Sequence, residues 1–188
     1  MNRLSTSLSL AALALAGLTL AAEDFQPLMK VTQTTWPEKR HIGVICNYRT
    51  TVAEVEALAR AAGEDSFITV ADTRVGEQAA LAARLLSDHH TDFVVLMPND
   101  RLFSDGSFGA TVAMSQLARR GVPTIGTRPV ALKQGAVFSL GEGTEGQILV
   151  TDRLIGTVHV VLPDPTLASQ KSALVIRKEG MATINVLR

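Results

Sequence analysis

Short apolar runs that alternate with stretches of helical spacing constrain this chain more than any other feature. His41 to Tyr48 (HIGVICNY) is nearly continuous, apolar and rich in β-branched residues. Thr51 to Ala62 then repeats Val52, Val55, Ala59 and Ala62 at the helical interval. Phe67 to Asp72 (FITVAD) reads as a second strand, and Gly76 to Asp88 carries Ala79, Leu81, Ala82, Leu85 and Leu86 along a helical stripe. Asp92 to Met97 is a third strand that ends at Pro98. A helix is predicted over Phe108 to Arg120, then strands over Val122 to Gly126 and Ala136 to Leu140. Apolar strands separated by helices are the mark of a parallel sheet covered on both faces and joined by right-handed crossovers. The expectation is an α/β chain with one doubly wound domain and a mainly parallel five-stranded sheet.

The flanks of this pattern differ. Met1 to Leu4 has Arg3 as its only charge, Leu8 to Leu20 is apolar, and small residues at Ala21 and Ala22 precede Glu23. That is the pattern of a secretory signal peptide over residues 1–22, short of the roughly 20 apolar residues of a membrane span. Residues 23–40 are polar with Pro27 and Pro37, an N-terminal arm expected to hold at most one short strand. Residues 41–162 form the expected α/β lobe. Its last predicted helix covers Glu145 to Leu154, and His159 to Leu162 is ambiguous. Pro163 to Ser172 reads as a linker, and Ala173 to Ile176 with Thr183 to Leu187 flank Lys178, Glu179 and Gly180 as a C-terminal β-hairpin.

Composition narrows the function. With 188 residues, 46% hydrophobic and 19% charged, the chain is able to bury a core. Lys plus Arg number 18 and Asp plus Glu number 18, so no basic excess favours nucleic acid as a partner. One cysteine excludes an internal disulfide and cysteine-built zinc or iron–sulfur sites. Cys46, inside an apolar run, reads as a small core residue.

In an open parallel sheet, ligands sit beyond the carboxyl ends of the strands, where loops diverge and helix N-termini present unpaired N–H groups. The first such loop holds Asn47, Tyr48, Arg49, Thr50 and Thr51. Thr51 and Glu54 spell a T-x-x-E capping box. Asn47 and Arg49 place an amide and a guanidinium where they could hydrogen-bond a carboxylate, and Arg49 reads equally as a solvated surface residue. In Pro98, Asn99, Asp100, Arg101, the Asp100 side chain could accept from a ligand amine, pair with Arg101 or cap a turn.

Other motifs are weaker. Gly141, Gly143 and Gly146 spell G-x-G-x-x-G, but Glu142 and Glu145 put negative charge where a pyrophosphate belongs, and the motif follows the fifth strand rather than the first. It reads as a glycine turn, and no cofactor is expected. His89 and His90 are adjacent and point apart on a helix end, which disfavours a shared metal. His41 and His159 at strand edges read as structural. No G-x-S-x-G is present, and Ser104 with Asp105 reads first as a turn.

The run WPEKRHIGVICNYRTTVAEVEALARAAG from Trp36 resembles periplasmic ABC-transporter substrate-binding proteins of the tryptophan and tyrosine type. The resemblance continues through TDFVVLMPNDRLFSD, RRGVPTIGTR and LKQGAVFSLGEGTEGQILVTDRLIG, in the family's order, to Gly156. It implies a type I binding fold, in which two Rossmann-like lobes close on a small ligand, and the match covers only the second lobe. By that resemblance Asn47, Tyr48 and Arg49 lie at the first strand's turn, Asp100 at the third, and Gly126 with Thr127 at the fourth, all facing the family's cleft. For an amino-acid-like ligand the implied roles are Arg49 for the carboxylate, Asp100 for the amine, and Asn47 with the Thr127 backbone for orientation. A second likeness, to small periplasmic regulators of the YfiR type, rests on the Trp36-Pro37 pair before an opening strand.

These observations lead to two expectations for a non-enzymatic periplasmic chain with no transmembrane segment once the leader is removed. One is a single-lobe solute-binding component of a transporter. The other is a protein-interaction or regulatory module that contacts an envelope protein or a second copy through the same edge, because one open face rarely encloses a small molecule.

Overall fold

The computed structural model describes residues 25–140, 148–150 and 174–187. Eight strands form one sheet: β1 His41–Cys46, β2 Phe67–Asp72, β3 Phe93–Val95, β4 Thr124–Ile125, β5 Phe138–Leu140, β6 Ile148–Val150, β7 Leu174–Ile176 and β8 Thr183–Leu187. Their spatial order is β6-β5-β4-β3-β1-β2-β8-β7. The six inner strands run parallel, whereas β6 pairs antiparallel with β5 and β7 antiparallel with β8. The doubly wound α/β class and the C-terminal hairpin are therefore present, with eight strands in place of the expected five.

Two of the added strands differ in origin, one from a remote pairing and one from a segment expected to be helical. β8 does more than close a hairpin, since it docks parallel on β2 from Phe67↔Thr183 to Ala71↔Leu187. Residues 148–150 fall within the helix predicted over Glu145 to Leu154, but they form β6, with Phe138↔Val150 and Leu140↔Ile148 in register. The β-branched Ile148 and Val150 suit a strand, and pairing with β5 satisfies their backbone.

Helices cover both faces. Helices α1 Gln26–Thr35 and α2 Tyr48–Ala62 lie on one side, α3 Ala79–Asp88 and α4 Phe108–Arg119 on the other, with a 3-10 turn at Gly76–Gln78 and a short α5 at Val130–Gln134. Alternation along each strand sorts the core into two layers. Ile42, Val44, Ile68, Val70, Phe93 and Val95 pack with α1 and α2, while Ile45, Ala71 and Val94 pack with α3 and α4. Gly43 lets α3 approach β1, since a Cβ there would lie 2.8 Å from Val94 Cγ2 and 3.0 Å from Leu86 Cδ1.

The expected N-terminal arm is instead helix α1, which buries Leu28, Met29 and Thr32 against α2. Proline in its first turn costs no hydrogen bond there and presets the backbone for a helix. Gln33 Nε2 donates to Ala62 O at 3.0 Å, and Trp36 beyond the helix packs its ring on Phe138 and Phe93, with centroids 5.1 and 6.1 Å apart. The leader over residues 1–22, the Gly141, Gly143, Gly146 motif, His159 to Leu162 and the linker at Pro163 to Ser172 lie outside the described residues. No helix among the described residues is long and apolar enough to cross a membrane.

Candidate functional site at the carboxyl edge

The chain leaves β1 through α2 to β2 on one side, then crosses back through α3 to β3 on the other. This reversal places a switch point between the carboxyl ends of β1 and β3, where open α/β sheets bind their ligands. Asn47 follows β1 and Asp100 follows β3, so the fold brings these two candidates together. Asp100 Oδ2 accepts from Asn47 N at 2.8 Å, and its Oδ1 accepts from Leu102 N and Phe103 N, each at 2.8 Å. Asp100 is only 2% exposed. Its carboxylate joins the two loops across the switch point and folds its own turn as well.

The same edge carries a second carboxylate on α2. Asp72, at the end of β2, accepts from Tyr48 N at 3.1 Å. Helix N-termini attract anions because their first N–H groups have no partner inside the helix. In α2 the first of those groups, Tyr48 N–H, is met by Asp72, and Asp100 holds the N–H of the preceding N-cap residue Asn47; both carboxylates reach in from neighbouring strands. The capping box expected at Thr51 and Glu54 does not form: the helix begins at Tyr48 with Asn47 as its N-cap. Thr51 Oγ1 donates to Asn47 O at 3.0 Å, and Glu54 Oε2 accepts from Asn99 N at 3.3 Å. Glu54 therefore laces α2 to the β3 loop.

The other candidates separate by direction. Tyr48 is buried in the core layer beneath α2, where burial raises its phenol pKa, and its hydroxyl has no hydrogen-bond partner among the described residues. Arg49, one position further, is exposed. Asn47 Oδ1 is buried without a partner among the described residues.

Gly126 and Thr127, after β4, meet a residue that sequence reasoning treated only as part of a turn. Asp105 Oδ2 accepts from Thr127 N at 2.8 Å and from Thr127 Oγ1 at 2.6 Å, clasping the β3–α4 loop to the β4–α5 loop. At 7% exposure, burial pushes the Asp105 carboxyl above the usual carboxylate range, and the Thr127 hydroxyl and N–H draw it part of the way back. Its Oδ1 has no partner among the described residues and lies beside Gly126, where a Cβ would come within 2.9 Å. Gln134 on α5 adds a parallel tie: Oε1 accepts from Gly106 N at 2.7 Å, and Nε2 donates to Ser107 O at 3.2 Å.

With its carboxylates turned inward, the edge presents guanidinium groups outward. Arg49 after β1, Arg74 after β2, Arg101 after β3 and Arg128 after β4 are all exposed. Arg74 also lies 3.3 Å from Asp72 Oδ2. Phe108 opens α4 with 80% of its surface exposed, above an N-cap in which Ser107 Oγ accepts from Ala110 N. Arg74, Arg128 and Phe108 were missed because nothing local marks them; only the strand order places them on one rim.

The histidines lie elsewhere. His41 Nε2 sits 2.7 Å from Thr69 Oγ1 at the amino end of β1, with its pKa lowered by burial against an opposing pull from Asp92. Burial likewise lowers His89. No cluster of histidine, cysteine and carboxylate groups suited to a metal occurs among the described residues. Cys46 is a free, buried thiol whose pKa burial drives far up.

Fold and edge together define a doubly wound α/β domain whose strand-end loops are tied by internal carboxylates. No protein-family model matches the chain, and no curated protein matches it.

Proposed function

We propose that the chain is a non-enzymatic periplasmic module that docks a macromolecular partner on the carboxyl edge of its sheet. The observation that carries this reading is Asp100. The side chain that would hold a ligand amine is buried and engaged by three backbone N–H groups, and Asp72 takes the first N–H of α2 beside it. A small zwitterion at the switch point would have to displace hydrogen bonds that the protein already makes. The exposed side chains of the edge are free to meet a surface instead. The periplasmic address rests on the leader pattern at residues 1–22.

One observation favours a solute, the alternative reading. Asn47 Oδ1 is a buried acceptor without a partner among the described residues, one position from Tyr48 and two from exposed Arg49. A thermal-shift panel of amino acids and small carboxylates separates the two. A ligand at 100 times its dissociation constant stabilises by about 2.7 kcal/mol, which such a panel detects. The docking reading expects no saturable shift with any member. A saturable shift that Arg49→Ala abolishes would replace it with solute binding. Export is checked by the mass of the periplasmic protein, expected to begin just after Ala21 or Ala22.

A further inference from the structure

We infer that the partner docked at this edge is a protein segment in which carboxylates flank an apolar side chain. The inference rests on the docking reading above and adds the chemistry of what docks. Two independent observations carry it. The first is charge. The chain as a whole is neutral, yet each of the first four strand ends carries an exposed arginine, at 49, 74, 101 and 128. The carboxylates of the same loops, Asp72, Asp100 and Asp105, turn inward to backbone N–H groups, with Asp72 also paired to Arg74 at 3.3 Å, so the outward charge rests on Arg49, Arg101 and Arg128. Among the described residues flanking these strand ends, the exposed carboxylate is Glu77 in the 3-10 turn. A neutral protein has thus sorted its charges so that this rim faces outward positive, which steers and orients an acidic partner.

The second observation is apolar exposure within that rim. Phe108 is the most exposed large apolar residue described, at 80%, and Val130, at 40%, follows Thr127 on the other loop of the Asp105–Thr127 clasp. Val130 methyls lie 3.5 and 3.7 Å from where a Gly106 Cβ would be, which sets them against the turn that leads into Phe108. The Asp105 tie at Thr127 and the Gln134 tie at the end of α5 hold this turn to α5 from both sides, so both exposed apolar residues sit on a braced platform. Aromatic and arginine side chains on a rigid support are the residue types that concentrate binding energy at interfaces. An apolar centre on a rim that also carries arginines 101 and 128 fits a segment of the opposite pattern, with its apolar side chain on Phe108 and Val130 and its carboxylates on the guanidinium groups.

The test is selection of random displayed peptides against three folded proteins: the wild type, Arg101→Glu with Arg128→Glu, and Phe108→Ser, each checked by circular dichroism. The wild type is expected to enrich peptides with Asp or Glu around an aromatic or branched aliphatic residue. A representative peptide should bind at least tenfold more weakly to either variant and weaken with added salt. The charge-reversed protein should instead enrich basic peptides. Enrichment of neutral or basic peptides by the wild type, with loss on Phe108→Ser, would overturn the acidic partner while leaving the docking edge in place. Acidic peptides that bind the charge-reversed protein equally well would overturn it too. So would the absence of any enriched peptide, including the case where the wild type binds phosphatidylglycerol vesicles through the same arginines. A saturable thermal shift with a free amino acid would instead remove the docking reading itself.

Discussion

Replacing Asp100 by alanine separates a structural carboxylate from a ligand-binding one. The side chain accepts three backbone hydrogen bonds at 2.8 Å, from Asn47, Leu102 and Phe103, and is 2% exposed. Hydrogen bonds to a charged group contribute about 1.5–3 kcal/mol each. Simple addition overshoots, because Leu102 and Phe103 share one oxygen and their turn is able to relax toward water. The Asn47 N–H is different, since it tethers the residue that opens α2 to the β3 loop, and losing that bond by itself costs about 1 kcal/mol. The expected total is about 3–5 kcal/mol, a large part of the roughly 5–15 kcal/mol that holds a domain together. At about 2–4 °C per kcal/mol for a chain of this size, the melting temperature should fall by roughly 6–20 °C. Urea titration followed by circular dichroism measures the change directly, with the slope of the transition unchanged. Asp100→Asn should fall between, because the amide still offers one acceptor oxygen to Leu102 and Phe103 but sets a donor against Asn47 N–H. A loss below about 1 kcal/mol for the alanine variant would refute the reasoning, since so weak a contribution fits a carboxylate held free for a ligand rather than one that ties two loops.

Asp105 should leave a signature in pH. Its folded-state pKa is raised above the ordinary 3.8, so its stabilising contribution is complete below 3.8 and is lost as pH rises through the raised value. Calorimetry of the wild type and Asp105→Asn should therefore show the wild type gaining on the variant between neutral pH and about pH 4, and a gap that is constant or moves the other way would contradict this. Gly126→Ala would drive its new methyl into Ala131 Cβ and toward Asp105 Oδ1; a cost of about 1–3 kcal/mol is expected, with partial recovery when Ala131→Gly is added. Cys46 is buried with its thiol pKa pushed up, so an aromatic disulfide reagent should leave it untouched until denaturant unfolds the chain, and rapid labelling of the native protein would show that β1 is less covered than described.

The alternation of strands and helices from His41 to Leu140 was legible because burial on both faces makes each parallel strand a short apolar run bounded by turn residues. Helix α1 carried a readable signal too: Pro27 in the first turn, then Leu28, Met29 and Thr32 on one face. The polar composition of the segment outweighed that signal in the sequence reading. The start of α2 was misplaced for a different reason. The T-x-x-E motif is a local pattern, whereas the start of this helix is held by Asp100 on Asn47 N–H and Asp72 on Tyr48 N–H, which lie 53 and 24 residues away from their partners. β8 depends on a partner more remote still, and no local window contains both halves of that pair, whereas β6 pairs with β5 only 8 to 12 residues away and was misread as helix. The candidate edge was legible in part. Asn47, Arg49, Asp100 and Thr127 do gather at the strand ends, as the topology requires. What sequence alone did not reveal was the direction of each charge: which carboxylates turn inward to the backbone, and which arginines are left outside.

The placement of β8 has a kinetic consequence. Strand β2 is flanked by β1 on one side and by β8 on the other, and the second pairing joins Phe67 to Thr183 across most of the domain. Until that closure, β2 offers a bare ladder of N–H and C=O groups beside Ile68 and Val70, the kind of open edge that recruits other chains. Pairings of such long range form slowly, because the loop entropy is lost before the contacts repay it. Arrival of the β7–β8 ribbon, pinned by Ala182 N to Ala59 O at 2.9 Å, is thus the step that covers β2 and moves the edge of the sheet out to the short strand β7.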